Sequence, residues 1–345
     1  MSDQLDLFGN EASGSRTDAE REESLVLELR TGAERLAEQG VYIGTSSWKY
    51  PGWCGLLYRA SRYERRGRFA EARFNRECLS EYAEVFKSVC VDGAYYQFPS
   101  EQYLTGLAEQ VPSDFRFSFK VTDEITLKRY PNIQRMGDRA GRENSEFLNA
   151  ERFSRQFLGP LEAIRDLTGL LIFEFSRFSP ADFRHQHEFL DSLDRFLGKL
   201  PKGWDYGVEI RNEEYLNPDY LAVLKRNQVG HVYNSWEAMP GVDRQIALAG
   251  DLLHDLHAGA RLLLKPGRSY KQAVDRFAPY RRVQEVSESA RDAGARLIES
   301  ALLKKRRLYL YGNNRLEGCS PRTLAAILQR LQGTEGRSTD GAKTA

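Results

Sequence analysis

Polar side chains close the apolar runs of this chain at regular intervals. Asp92 follows SVCV, Lys120 ends FRFSFK, Glu174 lies near the end of GLLIFEF, and Glu209 and Arg211 close YGVEIR. Asn234 ends VGHVYN, Lys265 ends ARLLLK, and Asn313 and Asn314 follow RLYLYG. Carboxylates beside Lys and Arg supply an acid/base pair together with a cation for a developing negative charge. Side chains alternate across a strand. In the third run this sends Phe115, Phe117 and Phe119 one way and Arg116, Ser118 and Lys120 the other. The turns KPGRSY, with Lys265 and Arg268, and GNNR follow the seventh and eighth runs, and an anionic substrate is the natural inference. A purely structural role as an ion network inside the fold accounts equally well for any one of Lys120, Glu209 and Arg211, since an unpaired interior charge is costly.

Those strand ends matter only if one architecture brings them together. Eight β-branched or aromatic runs, at 41–46, 88–93, 115–121, 169–175, 206–211, 229–234, 260–265 and 307–312, alternate with stretches of helical period such as 74–86, 146–167, 187–200 and 321–332. Eight βα units predict a single α/β domain, a closed (β/α)₈ TIM-type barrel with its site at the C-terminal ends of the strands. A doubly wound sheet fits less well, because GTSSWKYPGWCG after the first run breaks the G-x-G-x-x-G spacing.

The first loop, SSWKYPGWCGLLY, gathers Trp48, Tyr50, Trp53 and Tyr58 above the predicted mouth, with Tyr95 and Tyr96 after the second strand. Such a group is either a small aromatic core or a platform on which a base or sugar ring stacks. Arginine interleaved with Tyr and Phe recurs at 59–76, 128–142 and 264–282, after strands one, three and seven, which suits a phosphate backbone with splayed bases. Solvated loop faces are the plainer reading of each cluster taken singly.

Composition narrows the classes further. The chain has 345 residues, 41% hydrophobic, with a net charge of +1. Residues 1–23 carry seven acidic side chains against Arg16 and Arg21. No apolar run is long enough for a membrane span and no secretory signal pattern is present, so a soluble cytoplasmic protein is expected. Four scattered cysteines form no zinc or disulfide pattern. The histidines are poorly placed for metal ligation, His231 standing at a strand start where a core role is expected. No cofactor is implied; a divalent cation held by Asp92 with Glu174 or Glu209 stays open. The domain reading is an acidic disordered leader at 1–23, the barrel at 24–332 and a disordered tail at 333–345.

The motif IGTSSWKYPGW (43–53) resembles the opening IGTSGWSYPGW of the domain-of-unknown-function 72 family, the YecE-like barrels. The likeness continues through FKSVCVDGAYYQFPS (86–100), FRFSFKVTDEIT (115–126), VEIR (208–211) and the paired asparagines. Trp48, Tyr50, Pro51, Gly52, Trp53, Tyr96, Pro99, Lys120, Thr126, Glu209, Arg211, Asn313 and Asn314 fall on motif positions. The resemblance implies the barrel and carries no catalytic role, since the family's reaction is not established. Cys90 and Asp92 stand where the pattern has Glu and Asn, and Glu174, Phe175 and Ser176 where it has Gln-Leu-Pro, which implies a different substrate if those positions bind one.

At the other extreme of the chain, Gln4, Leu5, Asp6, Leu7 and Phe8 resemble the bacterial sliding-clamp-binding peptide, by which polymerases and repair proteins dock on the replication clamp. A tether with Gln for polar contacts and Leu7 with Phe8 for an apolar pocket suits folding on binding. Packing on the chain's own barrel is the other reading of the same residues. The leading expectation is a barrel that binds or processes nucleic acid, single-stranded or damaged DNA, at its mouth, recruited by the clamp. The alternatives are a metal-independent lyase, isomerase or hydrolase acting on a small phosphorylated or carboxylated sugar, and a non-enzymatic scaffold. Barrel architecture favours hydrolase or lyase chemistry if the protein is an enzyme. A pull-down with the full chain should retain the sliding clamp and lose it on Leu7→Ala/Phe8→Ala; a clamp absent from both eluates would remove this recruitment route.

Overall fold

Alternation of apolar and polar residues closes this chain on itself. The computed structural model describes residues 17–250 and 255–340, with side chains as far as 332. Eight parallel strands, β1 Val41–Thr45, β2 Ser88–Val91, β3 Arg116–Lys120, β4 Thr168–Phe175, β5 Asp205–Ile210, β6 Gly230–Asn234, β7 Ala258–Leu262 and β8 Leu308–Gly312, form a closed barrel. Each pairs with its neighbours in sequence, and β1 closes the ring against β8 with Val41 opposite Leu308. The (β/α)₈ expectation holds.

The interior is a packed core rather than a pore. Cys90, Leu170, Ile172, Val232, Tyr309 and Tyr311 fill it, and the Tyr311 hydroxyl donates to Ser118 Oγ at 2.6 Å. The same Ser118 oxygen accepts from the Leu170 backbone N–H at 2.9 Å, so this inward hydroxyl is satisfied in place. Phe115, Phe117 and Phe119 face the other way and are fully buried among the helices, as the alternation requires.

Several boundaries differ from the sequence reading. The first helix, α1 Asp18–Glu38, begins inside the stretch read as an unfoldable leader. Thr17 caps it through a reciprocal box with Glu20, two Glu side chains later fasten it to the last helix, Glu22 with Arg322 and Glu28 with Gln329. Its apolar stripe of Leu29, Ala33 and Leu36 starts only after two solvent-facing turns, which is why the acidic segment looked empty of packing. The last helix spans Ser320–Asp340 and runs past residue 332. The helical run over 146–167 is broken into short pieces, including a π-type turn at Ser154–Leu158, where Pro160 lacks the N–H a continuous helix needs. Strand β7 starts at Ala258 and ends at Leu262, earlier than 260–265, so Lys265 lies beyond it.

The loop after β1 seats itself on the loop after β7. A Cβ on Gly52 would stand 2.0 Å from the Pro279 carbonyl oxygen, and Tyr50 meets Tyr280 edge to face at 5.6 Å. Only glycine permits that approach. Gly52→Ala should cost about 1–3 kcal/mol in thermal unfolding, with faster proteolysis inside residues 46–58.

Candidate active site at the barrel mouth

Three cations and three carboxylates meet at the C-terminal ends of β2 to β7. Register explains the assembly: Glu174 on β4 is paired with Glu209 on β5, and Asn234 on β6 with Arg261 on β7. Glu174 Oε2 accepts from Lys120 Nζ at 2.7 Å, from Arg211 at 2.8 Å and from Arg261 at 2.9 Å. Arg261 also reaches Glu209 at 2.8 Å and Asp92 at 3.2 Å, and Arg211 reaches Glu209 at 3.3 Å. Lys120, Glu209, Arg211, Glu174 and Asp92, the five residues expected to carry chemistry, are thus brought together.

Burial ranks their roles. The Glu174, Glu209 and Arg261 side chains are 1%, 0% and 4% exposed, whereas that of Asp92 is 35% exposed. Asp92 is therefore the member a ligand meets first, Lys120 and Arg211 come next, and the other three position them. Burial alone would raise the Glu174 carboxyl, but Arg211, Lys120 and Arg261 outweigh it and hold the group well below the usual carboxylate range. Burial lowers the Lys120 ammonium in spite of the attraction of Glu174. The Asp92 carboxyl group, with an ammonium nearby that gives up its proton more readily than a free lysine, supplies the two halves of an acid/base pair.

Aromatic rings stand over these charges. Lys120 Nζ lies 3.5 Å from the Tyr95 ring centre and the Arg211 guanidinium 3.7 Å from that of Trp236. Tyr96 is 60% exposed, with Arg135 4.8 Å from its ring, and Arg135 pairs with Asp123 at 2.9 Å. Across the mouth Arg315 lies 4.4 Å from the Tyr270 ring and has no carboxylate partner among the described residues. Burial pushes the half-buried Tyr50 hydroxyl up to about 12, against the pull of Arg315 and with a push from Asp92.

Other expected ligand contacts are placed elsewhere. Trp53 is fully buried against Tyr50 and Tyr58, and Trp48 is 4% exposed, so the first loop is mainly an aromatic core and only Tyr50 and Tyr96 of the expected platform keep open surface. Lys265 and Arg268 are drawn to Glu285, each at 2.8 Å, outside the network. Asn313 caps the short helix Asn314–Glu317, and Asn314 accepts from the Ser320 backbone at 2.8 Å, so both hold loop geometry. Asn234 is fully buried and donates to the Ile210 carbonyl at 3.1 Å, while its Oδ1 has no partner among the described residues. His231 is a core residue, bonded to Tyr220 at 3.0 Å and pushed down to about 4 by burial. The peptide Gln4 to Phe8 lies outside the described residues.

Arg261 was missed by sequence reasoning because a strand drawn from 260 puts it at the floor. Strict alternation with Leu262 turned outward was the signal that could have found it. Arg261 also bears on the divalent cation left open above, because Asp92, Glu174 and Glu209 all spend oxygens on this guanidinium. Among the described residues no three His, Cys, Asp or Glu side chains come together as a metal-ligand set, and no helix is long and apolar enough to cross a membrane.

The comparison with known proteins bears on the whole barrel. A family model described as "Protein of unknown function DUF72" matches residues 42–344. The chain belongs to the DUF72 family. It is 24% identical over 177 residues to the UPF0759 protein YecE of Escherichia coli strain K12, covering 51% of this chain and 50% of that protein. The chain thus spans about half the length of the curated relatives it matches. DUF72 proteins of known structure share its fold. One from Thermotoga maritima is 17% identical with a TM-score of 0.52, covering 85% of this chain and 99% of that one. One from Enterococcus faecalis is 17% identical with a TM-score of 0.51, covering 85% and 97%.

In this DUF72 barrel Glu174 is the acceptor common to three cations. Glu174→Gln should destabilise the fold by about 3–5 kcal/mol at neutral pH in denaturant unfolding. Because the folded carboxyl titrates below its ordinary value of 4.5, its contribution is full above that pH and fades as pH falls through the lower folded value. The variant should therefore lose less stability than wild type on acidification below about pH 4.5, so the gap between the two narrows there.

Proposed function

We propose that this barrel binds single-stranded or damaged DNA across its C-terminal face, and that residues 4–8 bring it to the sliding clamp on replicating or repaired DNA. One observation carries the first half. Most cations of the basic clusters are spent on carboxylates, such as Lys128 on Glu143, Arg129 on Asp182, and Arg62, Arg73 and Arg76 on Glu77. The cluster cations left without a carboxylate partner among the described residues are Arg65, Arg66 and Arg68 after β1, Arg142 after β3, and Arg281 and Arg282 after β7, all on loops leaving the same end of the barrel. Outside the clusters, Arg177 after β4 and Arg315 after β8 likewise have none among the described residues.

The densest group sits on a two-stranded hairpin, Glu64–Arg65 with Arg68–Phe69, whose turn residues Arg66 and Gly67 have positive φ. Three exposed arginines held on so short a ribbon suit successive phosphates. Exposed Tyr96, flanked by Arg135, suits a splayed base. Asp92, Lys120 and Arg211 lie where the sugar-phosphate would enter, and hydrolytic or lyase chemistry is the reaction class such an acid/base group with neighbouring cations serves. The clamp-directed half rests on the sequence of residues 4–8 alone.

A small phosphorylated or carboxylated sugar is the second reading. It is favoured by the seating of the Gly52 loop on Pro279, which narrows one side of the mouth. Its ligand would bind among Asp92, Lys120, Arg211 and Arg315 without touching the hairpin.

Fluorescence anisotropy with single-stranded DNA separates the two. Wild type should bind at about 50 mM salt and weaken steeply as salt rises. Arg65→Ala/Arg66→Ala/Arg68→Ala should reduce the slope of log affinity against log salt by about 2–3. Absence of binding at low salt, or binding indifferent to salt, would overturn the nucleic-acid reading. An unchanged slope in the triple variant would remove the hairpin from it.

A further inference from the structure

The opposite end of the barrel carries a basic cavity, independent of the mouth. It has a volume of about 620 Å³ and is built from the turns that precede β4, β5, β6, β7 and β8. Five Lys and Arg side chains line it, Arg165 and the run 304–307, against Asp205 and Asp255. Asp205 is already engaged, paired with Arg307 at 2.7 Å and accepting from the Tyr309 hydroxyl at 2.9 Å. Lys305 is exposed and has no carboxylate partner among the described residues.

Two features distinguish this cavity from an ordinary basic surface. Trp204 is half-buried in its wall, with the Arg165 guanidinium 4.5 Å from the ring centre, an aromatic face held in place by a cation. Lys305 and Gln228, both lining it, have φ of 50° and 58°, in the left-handed region that glycine ordinarily fills just after a helix. Non-glycine residues held in this sparsely populated region cluster at ligand sites, where surrounding structure compensates the strain. An indole face beside a cationic rim has the chemistry to hold a ring and a phosphate together.

We propose that this floor cavity binds a small phosphorylated ligand carrying a planar ring, of the nucleotide class, with the ring on Trp204 and the phosphates at Lys305. The site lies a barrel length from Asp92, so it stands or falls apart from the reading of the mouth.

Adenosine diphosphate and inorganic pyrophosphate are the probes, measured by calorimetric titration and by quenching of tryptophan fluorescence. Adenosine diphosphate should bind wild type and the mouth variant Asp92→Asn alike, and pyrophosphate several-fold more weakly. Trp204→Leu should abolish the quench. Lys305→Gly removes the charge while relaxing the backbone, so it should fold with an unchanged or higher melting temperature and bind at least five-fold more weakly. No binding to wild type, equal binding of the two probes, equal affinity in Lys305→Gly, or loss of binding in Asp92→Asn would each overturn the proposal.

Discussion

A single carboxylate oxygen ties the mouth of this barrel together. Glu174 Oε2 accepts from Lys120 on β3, from Arg211 just past β5 and from Arg261 on β7, each within 2.9 Å. Around so buried an atom, water cannot substitute for a missing partner, and charge balance becomes a condition on the fold. Three cations and three carboxylates satisfy it only if the strands bearing them end at one height. Slipping any of these strands by one residue would turn its charge out among the phenylalanines and leave its partners unpaired. The network therefore fixes register and site geometry in the same stroke.

The barrel was legible because its strands are short, apolar and spaced by helical pattern, and because the phenylalanines of β3 alternate so cleanly with Arg116, Ser118 and Lys120. Asp92, Lys120, Glu174, Glu209 and Arg211 were legible for a related reason. Each is a charge embedded in an otherwise apolar run, where desolvation makes it conspicuous. Arg261 was not, because the leucines that follow it, up to Leu264, are all buried and draw the eye to a later strand. Only the starting point at Ala258 decides whether Arg261 or Lys265 faces the mouth.

Polar residues at loops were harder to place for a different physical reason. Asn313 and Asn314 look like ligand contacts because asparagine has a donor and an acceptor, but those same atoms answer the backbone N–H groups left open at helix starts. Trp48 and Trp53 look like a platform, yet a thirteen-residue loop crossing a barrel end must bury something, and indoles supply the most area. Sequence records the chemistry of a side chain; which of two demands uses it depends on neighbours hundreds of residues away.

Counting charge shows the same dependence. Basic clusters along the chain overstate the free positive charge, since Glu77, Glu124, Glu143 and Glu285 absorb much of it. At Glu285 hydrogen bonds from Lys265 and Arg268 outweigh burial and hold the carboxyl down at about 2, so that neutralisation persists across any physiological pH. The arginines that escape it, above all on the 64–69 hairpin, are then the ones whose field reaches solvent. An anionic ligand approaching the mouth meets that rim before it meets Asp92, and the balanced network beneath offers it replacement partners rather than net attraction. On the proposed reading, affinity is thus a property of the rim and geometry a property of the charged network beneath it, so the two can be altered separately.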